Sequence, residues 1–414
     1  MTLSEELAWR GFVNQTTFKN ISDIDKTPLT FYFGVDPSAV SMTIGNLAAA
    51  MMVRKFIKHG HKAIILVGGA TGLIGDPDGK SDERNLKTLE EITSYKKGIV
   101  SQYKTIFGGL DFEVVDNYDW FKDLGYLEFL RNVGKHVPMR QMLGRDFVQK
   151  RLSEDGSGIS YAEFSYVLIQ AYDFVYLSKE KGVSLQLCGS DQWGNSIAGV
   201  DLIRRLTGKE AHVWSTPLVV NKATGKKFGK SEDGAVWLDA ELTSPYAFYQ
   251  FWLNADDEGV EDYLKIYTEL DKEELPAVLA EFNADKSQRK AQKTLAYEVT
   301  KLLHGEQTAK SVAHVSEVLF GATPYSELTE QDMTVLQREL TTIPAKADAS
   351  LLDLLVEGGL ASSKGEARRF VASKAIYING QRIDENTEQL DESHSIHGCA
   401  IVRRGKNSQI VVEL

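Results

Sequence analysis

Two apolar strands separated by one amphipathic helix constrain this chain more than any other feature. Residues 29–33 (Leu-Thr-Phe-Tyr-Phe) read as a strand, Gly45 to His59 as a helix with apolar residues at helical spacing, and Ala63 to Val67 as a second, buried strand. The connections are short, so the three make a βαβ unit. A further strand at Ser184 to Leu187 runs through Gly-Ser-Asp-Gln-Trp-Gly into a helical pattern from Asn195 to Leu206. Strands that alternate with helices predict an α/β domain, a parallel sheet with helices on both faces.

At 414 residues the chain exceeds the size at which one hydrophobic core keeps growing. The stretch from about 110 to 182 reads as mostly helical material inserted into the sheet-forming sequence, which gives a first domain of residues 1–225. A loop and a helical pattern without a convincing strand fill 226–320, with apolar spacing in Ala291 to Leu303. Residues 321–349, polar and carrying Pro324 and Pro344, read as a linker. A small α+β module is expected over 350–414, from a helix at Leu351–Glu357 through Ser362 to Arg369 and on to a strand at Ala375–Ile378 and a turn at Asn379-Gly380.

Hydrophobic residues at 43% and charged residues at 25% are ordinary for a globular chain and argue against long disorder and a fibrous class. The most apolar stretch, Ala63 to Leu73, falls short of the roughly 20 residues of a spanning helix. The first residues, with Glu5, Glu6 and Arg10, lack a signal or transit pattern, so the expected location is cytoplasmic, away from any membrane. Cys188 and Cys399 stand far apart and outside metal-ligand spacing, so neither a permanent metal site nor a disulfide framework is expected. The net charge of −11 opposes general binding to nucleic acid, so any RNA contact must use a local basic patch.

Two segments carry the chemistry. Gly34-Val35-Asp36-Pro37-Ser38, running on to Thr43-Ile44-Gly45-Asn46, joins the first strand to its helix, where free amides and the helix dipole favour a phosphate. Lys226-Lys227-Phe228-Gly229-Lys230-Ser231 is a glycine-containing loop whose lysines could close on a polyphosphate as charge develops on its leaving oxygens. Alone, the first is most simply a polar turn with an N-cap, and the second a solvated surface turn. Together they are far more specific.

The pair resembles the two signature motifs of class I aminoacyl-tRNA synthetases, His-Ile-Gly-His and Lys-Met-Ser-Lys-Ser. The second takes the form Lys227-Phe228-Gly229-Lys230-Ser231, typical of the tyrosine-specific branch, whereas Thr43 and Asn46 replace both histidines of the first. Two longer strings, Val67 to Pro77 (Val-Gly-Gly-Ala-Thr-Gly-Leu-Ile-Gly-Asp-Pro) and Gly189 to Asn195 (Gly-Ser-Asp-Gln-Trp-Gly-Asn), closely resemble those of bacterial-type tyrosyl-tRNA synthetases.

The resemblance implies a Rossmann-like catalytic domain with its helical insertion, then a mobile signature loop and an anticodon-binding helical domain, then an RNA-binding module. It implies activation of L-tyrosine by ATP, with Mg²⁺ accompanying ATP as a substrate ion, and transfer to tRNA(Tyr) by a homodimer. Tyr32 and Asp173 would meet the substrate phenol, Asp76, Tyr166 and Gln170 its ammonium group, and Gln192 its carboxylate. Asp36, Ser38, Gly45, Asp191 and Lys230 would bind ATP. Thr43, Asn46, Lys227, Lys230 and Ser231 would act at the phosphates, Thr43 with a shorter reach than histidine, so that activation is expected to be slower than in relatives. Lys80 and Arg84 would reach pyrophosphate, and Lys364, Arg368 and Arg369 would contact tRNA. Tyr166, Gln170 and Asp173 stand at i, i+4 and i+7, a stripe that on many helices is mere surface, but apolar Phe164, Leu168, Ile169, Tyr172 and Phe174 flank it here. The alternative expectation is a weakened paralogue serving another acceptor, or a non-catalytic RNA-binding factor.

Overall fold

The computed structural model describes residues 1–77, 86–144, 146–153, 155–225, 228–231, 234–345, 350–383, 387–405 and 408–414. They form two compact units, Met1–Leu242 with Ala255–Leu295, and Thr243–Asn254 with Ala296–Leu414. The stretch 226–320, expected in one helical domain, is therefore shared between the units.

The first unit is built on strands β1 (Gln15–Thr16), β2 (Thr30–Val35), β3 (Lys62–Val67), β4 (Phe112–Val115), β5 (Leu185–Gly189) and β6 (His212–Thr216), in the sheet order β1-β6-β5-β2-β3-β4. β2 to β6 pair in parallel and β1 adds an antiparallel edge. Its helices are α1 (Leu3–Arg10), α2 (Ile44–Lys58), α3 (Gly69–Ile74), α4 (Leu89–Phe107), α5 (Tyr118–Phe121), α6 (Tyr126–Asn132), α7 (Met139–Leu143), α8 (Asp146–Leu152), α9 (Tyr161–Lys181) and α10 (Trp193–Thr207). A short hairpin follows, β7 (Lys230–Ser231) with β8 (Gly234–Ala235).

Alternation along β2 serves both helical layers at once. Phe31 packs against Phe56 of α2, with centroids 5.6 Å apart, whereas Tyr32 faces Phe174 of α9 at 5.2 Å. β3 is a run of Ile64, Ile65, Leu66 and Val67, all buried, as a strand covered on both faces requires. The helices are punctuated by their own sequence. Thr88 and Ser160 accept from the amides of Glu91 and Glu163 at the starts of α4 and α9, and left-handed Gly108 and Gly182 end them.

From β2 the chain builds β3 and β4 on one side and then returns to build β5 and β6 on the other. The order reverses between β2 and β5, and a crevice at such a reversal, beyond the carboxyl ends of the strands, is where open α/β sheets bind ligands. One correction concerns the insertion. Its expected start, near 110, includes β4, which pairs with β3 as the last strand of the sheet. β4 is a short, half-exposed edge whose four residues give little periodicity.

α12 (Val260–Tyr267) and α13 (Glu274–Ala284) complete the first unit, and α11 (Pro245–Leu253) belongs to the second. The boundary falls within α14 (Lys290–His304), which is followed by α15 (Glu306–Phe320), α16 (Glu330–Glu339), β9 (Thr341–Pro344), α17 (Leu351–Glu357), α18 (Lys364–Ala372), β10 (Ile376–Ile378), β11 (Gln381–Arg382), β12 (Cys399–Arg404) and β13 (Ser408–Glu413). The sheet order is β11-β10-β12-β13-β9. One set of its side chains (Ala400, Val402, Ile410, Val412) packs with Leu351, Leu354 and Ala367 of α17 and α18, and the alternate set (Cys399, Ile401, Val411) with Val315 and Leu336 of α15 and α16.

The supposed linker is thus part of this core, not a spacer. Thr329 caps α16 by accepting from the Asp332 amide, and buried Asp332 accepts from Ser311 of α15 at 2.6 Å and from His314 at 2.8 Å. Pro344 does not break structure, because β9 is an edge strand where a missing N–H is tolerated. The expected turn is as read: Asn379 and Gly380 both have positive φ, 46° and 79°, between β10 and β11. Among the described residues no helix is long and apolar enough to cross a membrane.

Candidate active site

The crevice in the first unit holds a cavity of about 290 Å³. β2 supplies Tyr32 and, just past its end, Asp36 and Ser38. The start of α2 supplies Thr43, Gly45 and Asn46; Asp76 follows α3; one face of α9 supplies Tyr166, Gln170 and Asp173; and the turn after β5 supplies Asp191 and Gln192. Every residue expected to meet tyrosine or ATP, apart from those in the lysine-bearing loops, lines this one cavity.

Among its buried polar groups is Asp173, 2% exposed. Oδ1 accepts from Trp120 Nε1 at 2.9 Å and Oδ2 from Asn117 Nδ2 at 3.0 Å. Burial pushes the Asp173 carboxyl well above the usual range, and those two N–H bonds pull it partly back. The Asn117 amide is itself fixed, since its oxygen accepts from the Ala70 backbone N–H at 2.7 Å and its nitrogen also donates to Thr71 Oγ1 at 3.1 Å. Tyr32, paired in register with Gln186 of β5, is equally buried, and both burial and the Asp173 charge hold its phenol in the protonated form.

Three buried atoms facing this space lack any hydrogen-bond partner among the described residues: Tyr32 Oη, Gln170 Oε1 and Gln186 Oε1. Each such group costs about 1–3 kcal/mol unless something polar meets it. All three belong to residues that line this one cavity. Nearer the mouth the side chains pair with one another, Tyr166 Oη donating to Asp36 Oδ2 at 2.7 Å and Gln192 Nε2 to Asp76. Gln192 is held from behind by Asn195 Nδ2 at 3.0 Å.

Thr43 and Asn46 occupy the first turn of α2 and bond to each other. Asn46 Oδ1 accepts from the Thr43 backbone N–H at 2.9 Å and from Thr43 Oγ1 at 3.0 Å. The glycine-bearing loop approaches here. A Cβ on Gly229, whose φ is +102°, would lie 3.2 Å from the Gly45 nitrogen, so this backbone contact needs a glycine. Lys80, Arg84 and Lys227 lie outside the described residues, and of Lys230 and Ser231 only the backbone strand β7 is described.

Sequence reasoning missed Asn117, Trp120 and Gln186. For Gln186 a signal existed, an amide inside the apolar strand Leu185-Gln186-Leu187, where burial demands a partner. Asn117 and Trp120 follow an irregular edge strand and gave none. In the second unit, Arg368 and Arg369 are exposed on α18, whereas Lys364 is ion-paired with Asp353. Arg403 and Arg404 lie over the rings of Tyr377 and Phe370, at 4.2 Å and 4.9 Å.

Residues 25–321 match the family described as tRNA synthetases class I (W and Y). The chain belongs to that family. It is 42% identical over 426 residues to the tyrosine--tRNA ligase of Geobacillus kaustophilus (strain HTA426), covering 100% of this chain and 99% of that protein, and 44% identical over 424 residues to that of Staphylococcus carnosus (strain TM300), covering 99% of each. Residues 331–412 match the tyrosine--tRNA ligase SYY-like C-terminal domain, and with those relatives they place the chain in the tyrosine branch. Among solved structures, a C-terminally truncated mitochondrial tyrosyl-tRNA synthetase from Aspergillus nidulans superposes with TM-score 0.69 at 30% identity, over 77% of this chain and 94% of that one. The L-tyrosine complex of the Archaeoglobus fulgidus tyrosyl-tRNA synthetase shares the fold, with TM-score 0.55 at 17% identity over 75% of this chain and 99% of that one.

Proposed function

We propose that this cavity joins L-tyrosine to ATP, giving tyrosyl-adenylate and pyrophosphate, and then passes the tyrosyl group to the 3′ end of tRNA(Tyr), in the cytoplasm. The observation that carries the reading is a buried pair in its lining. Asp173 offers carboxylate oxygens and Tyr32 an unpartnered hydroxyl, the acceptor and donor that a phenol needs and that phenylalanine would leave unsatisfied.

In this reading the substrate ammonium lies against Asp76, Tyr166 and Gln170, whose oxygens suit a buried cation, and its carboxylate lies near Gln192. That carboxylate attacks the α-phosphorus in line while pyrophosphate leaves, so no side chain has to act as nucleophile or base. Positioning and charge stabilisation suffice. Asp36, Ser38, Gly45 and Asp191 hold the nucleotide, Asp191 by accepting from the ribose hydroxyls. Thr43, Asn46, Lys227, Lys230 and Ser231 meet the phosphates, with Lys80 and Arg84 on the departing pyrophosphate. Mg²⁺ arrives on ATP, held mainly by phosphate oxygens.

For the tRNA, the exposed guanidinium groups of Arg368 and Arg369, with Lys364, provide the local positive patch that an overall charge of −11 requires. We further propose that two copies pair through the inserted segment, where Leu127 is 79% exposed beside exposed Tyr126 and Tyr161. Incubation with ATP, labelled tyrosine and bacterial tRNA should yield acid-precipitable tyrosyl-tRNA. Adenylate formation without charging would instead favour another acceptor.

A further inference from the structure

The glycine-bearing loop is seated by a ring that sequence motifs do not single out. Phe228 is 7% exposed and stacks on Tyr263 of α12, with centroids 4.3 Å apart and planes at 24°. The same Tyr263 donates its one hydroxyl proton to Asp256 Oδ2 at 3.0 Å, with the Val220 carbonyl 3.3 Å from the same oxygen. One side chain therefore touches the segment that leads from β6 into the loop, at Val220, and the loop residue just before Gly229. The Phe228 N–H also donates to the Val219 carbonyl at 3.0 Å, which closes the base of the loop.

The surroundings are arranged to keep that ring still. Gly259 has no room for a side chain, because a Cβ there would strike the Tyr263 ring. Asp256 accepts from the Gly259 N–H at 2.6 Å as well as from the Tyr263 hydroxyl. α12 is bound to the body of the unit at its last turn and just past it, where Arg10 of α1 donates to the carbonyls of Lys265 and Thr268 at 2.7 Å and 2.9 Å, and Glu269 pairs with Lys55 of α2 at 2.8 Å. α2 is the helix whose first turn holds Thr43, Gly45 and Asn46. On the other side of Phe228, the Gly229 carbonyl accepts from Val236 N at 3.2 Å, and the Val236 carbonyl accepts from Ile44 N at 3.1 Å.

We propose that Tyr263 is a positioning residue for tyrosine activation: its ring face sets where Phe228 rests, and so fixes how closely Gly229 and the lysine after it approach the start of α2. The proposal rests on the reading of that loop as a phosphate-binding element. Tyr263 does not line the cavity, so its effect falls on the chemical step and not on tyrosine affinity. A stacked aromatic pair biases the seated state of the loop by up to roughly tenfold in population.

The test is ATP–pyrophosphate exchange by the full chain, with equilibrium binding of tyrosine measured alongside in the absence of ATP. Tyr263→Leu should lower kcat by about 10-fold while tyrosine KM and Kd stay within about twofold, and Tyr263→Phe, which keeps the ring, should stay within about threefold of the unmodified chain in kcat. Should Tyr263→Leu fail to fold, Phe228→Leu removes the other ring and leaves α12 intact, with the same selective fall expected. Unchanged kcat in the leucine variants overturns the proposal, as does an equal loss of tyrosine binding, which would make Tyr263 a general packing residue. Absence of tyrosine-dependent exchange in the unmodified chain would instead sink the underlying reading of the loop, and this inference with it.

Discussion

Both oxygens of Asp173 are taken up by N–H donors, Trp120 on one and Asn117 on the other. An amide in place of the carboxylate must turn its NH₂ group toward one of those donors, whichever way it flips. Asp173→Asn should therefore do more than remove a charge, because it also sets donor against donor in a buried place. We expect tyrosine affinity to fall by roughly 5- to 150-fold, from the 1–3 kcal/mol that an unsatisfied buried group costs. Calorimetric titration with tyrosine reads this directly, and unchanged affinity would remove Asp173 from the phenol site. The family resemblance singled this residue out in the sequence; the helical stripe it shares with Tyr166 and Gln170 would alone have read as surface, but for its apolar neighbours. Its supports were not, since Asn117 and Trp120 reach it through tertiary contacts that local periodicity does not encode. The Thr43 and Asn46 replacements were legible as a departure, but their mutual hydrogen bonds had to be seen in three dimensions.

At the scale of elements, α1, α2 and the segment after α12 meet in one cluster of charges. Lys55 is 1% exposed and lies between Glu269 and Glu6, while Arg54 and Lys58 also pair with Glu269. Burial alone would raise the Glu269 carboxyl, but the Lys55 charge and hydrogen bond, with Lys58 and Arg54, reverse this and hold it at about 2, below its ordinary 4.5. Its folded-state value is depressed, so the unfolded chain binds more protons between those two values. The contribution is complete above about pH 4.5 and is lost as pH falls toward about 2. Thermal unfolding should show that loss, and Glu269→Gln should flatten it while destabilising the neutral protein by roughly 3 kcal/mol, because Lys55 stays buried with a poorer partner. An unaltered acid slope in the variant would contradict the assignment. Long helices and buried strands such as α2, α10 and β3 were readable from the sequence within a residue or two of their ends. β4 and β9 were not, because each is a four-residue edge strand whose pairing comes from a distant part of the chain.

For the molecule as a whole, two proposals stand on the family and on the surface. If copies pair through the inserted segment, sedimentation should give a dimer mass at micromolar concentration, and Leu127→Glu should shift it toward monomer by burying a charge at the contact. A monomer in the unmodified chain would refute the pairing. The central claim is that one cavity selects tyrosine by its hydroxyl and activates it with ATP. Amino-acid-dependent ATP–pyrophosphate exchange, run with tyrosine, phenylalanine and tryptophan at saturating magnesium and ATP, tests it most directly. The account predicts exchange with tyrosine, little with the other two, and a marked loss in Asp173→Asn; equal exchange with phenylalanine, or none with any of the three, would contradict it.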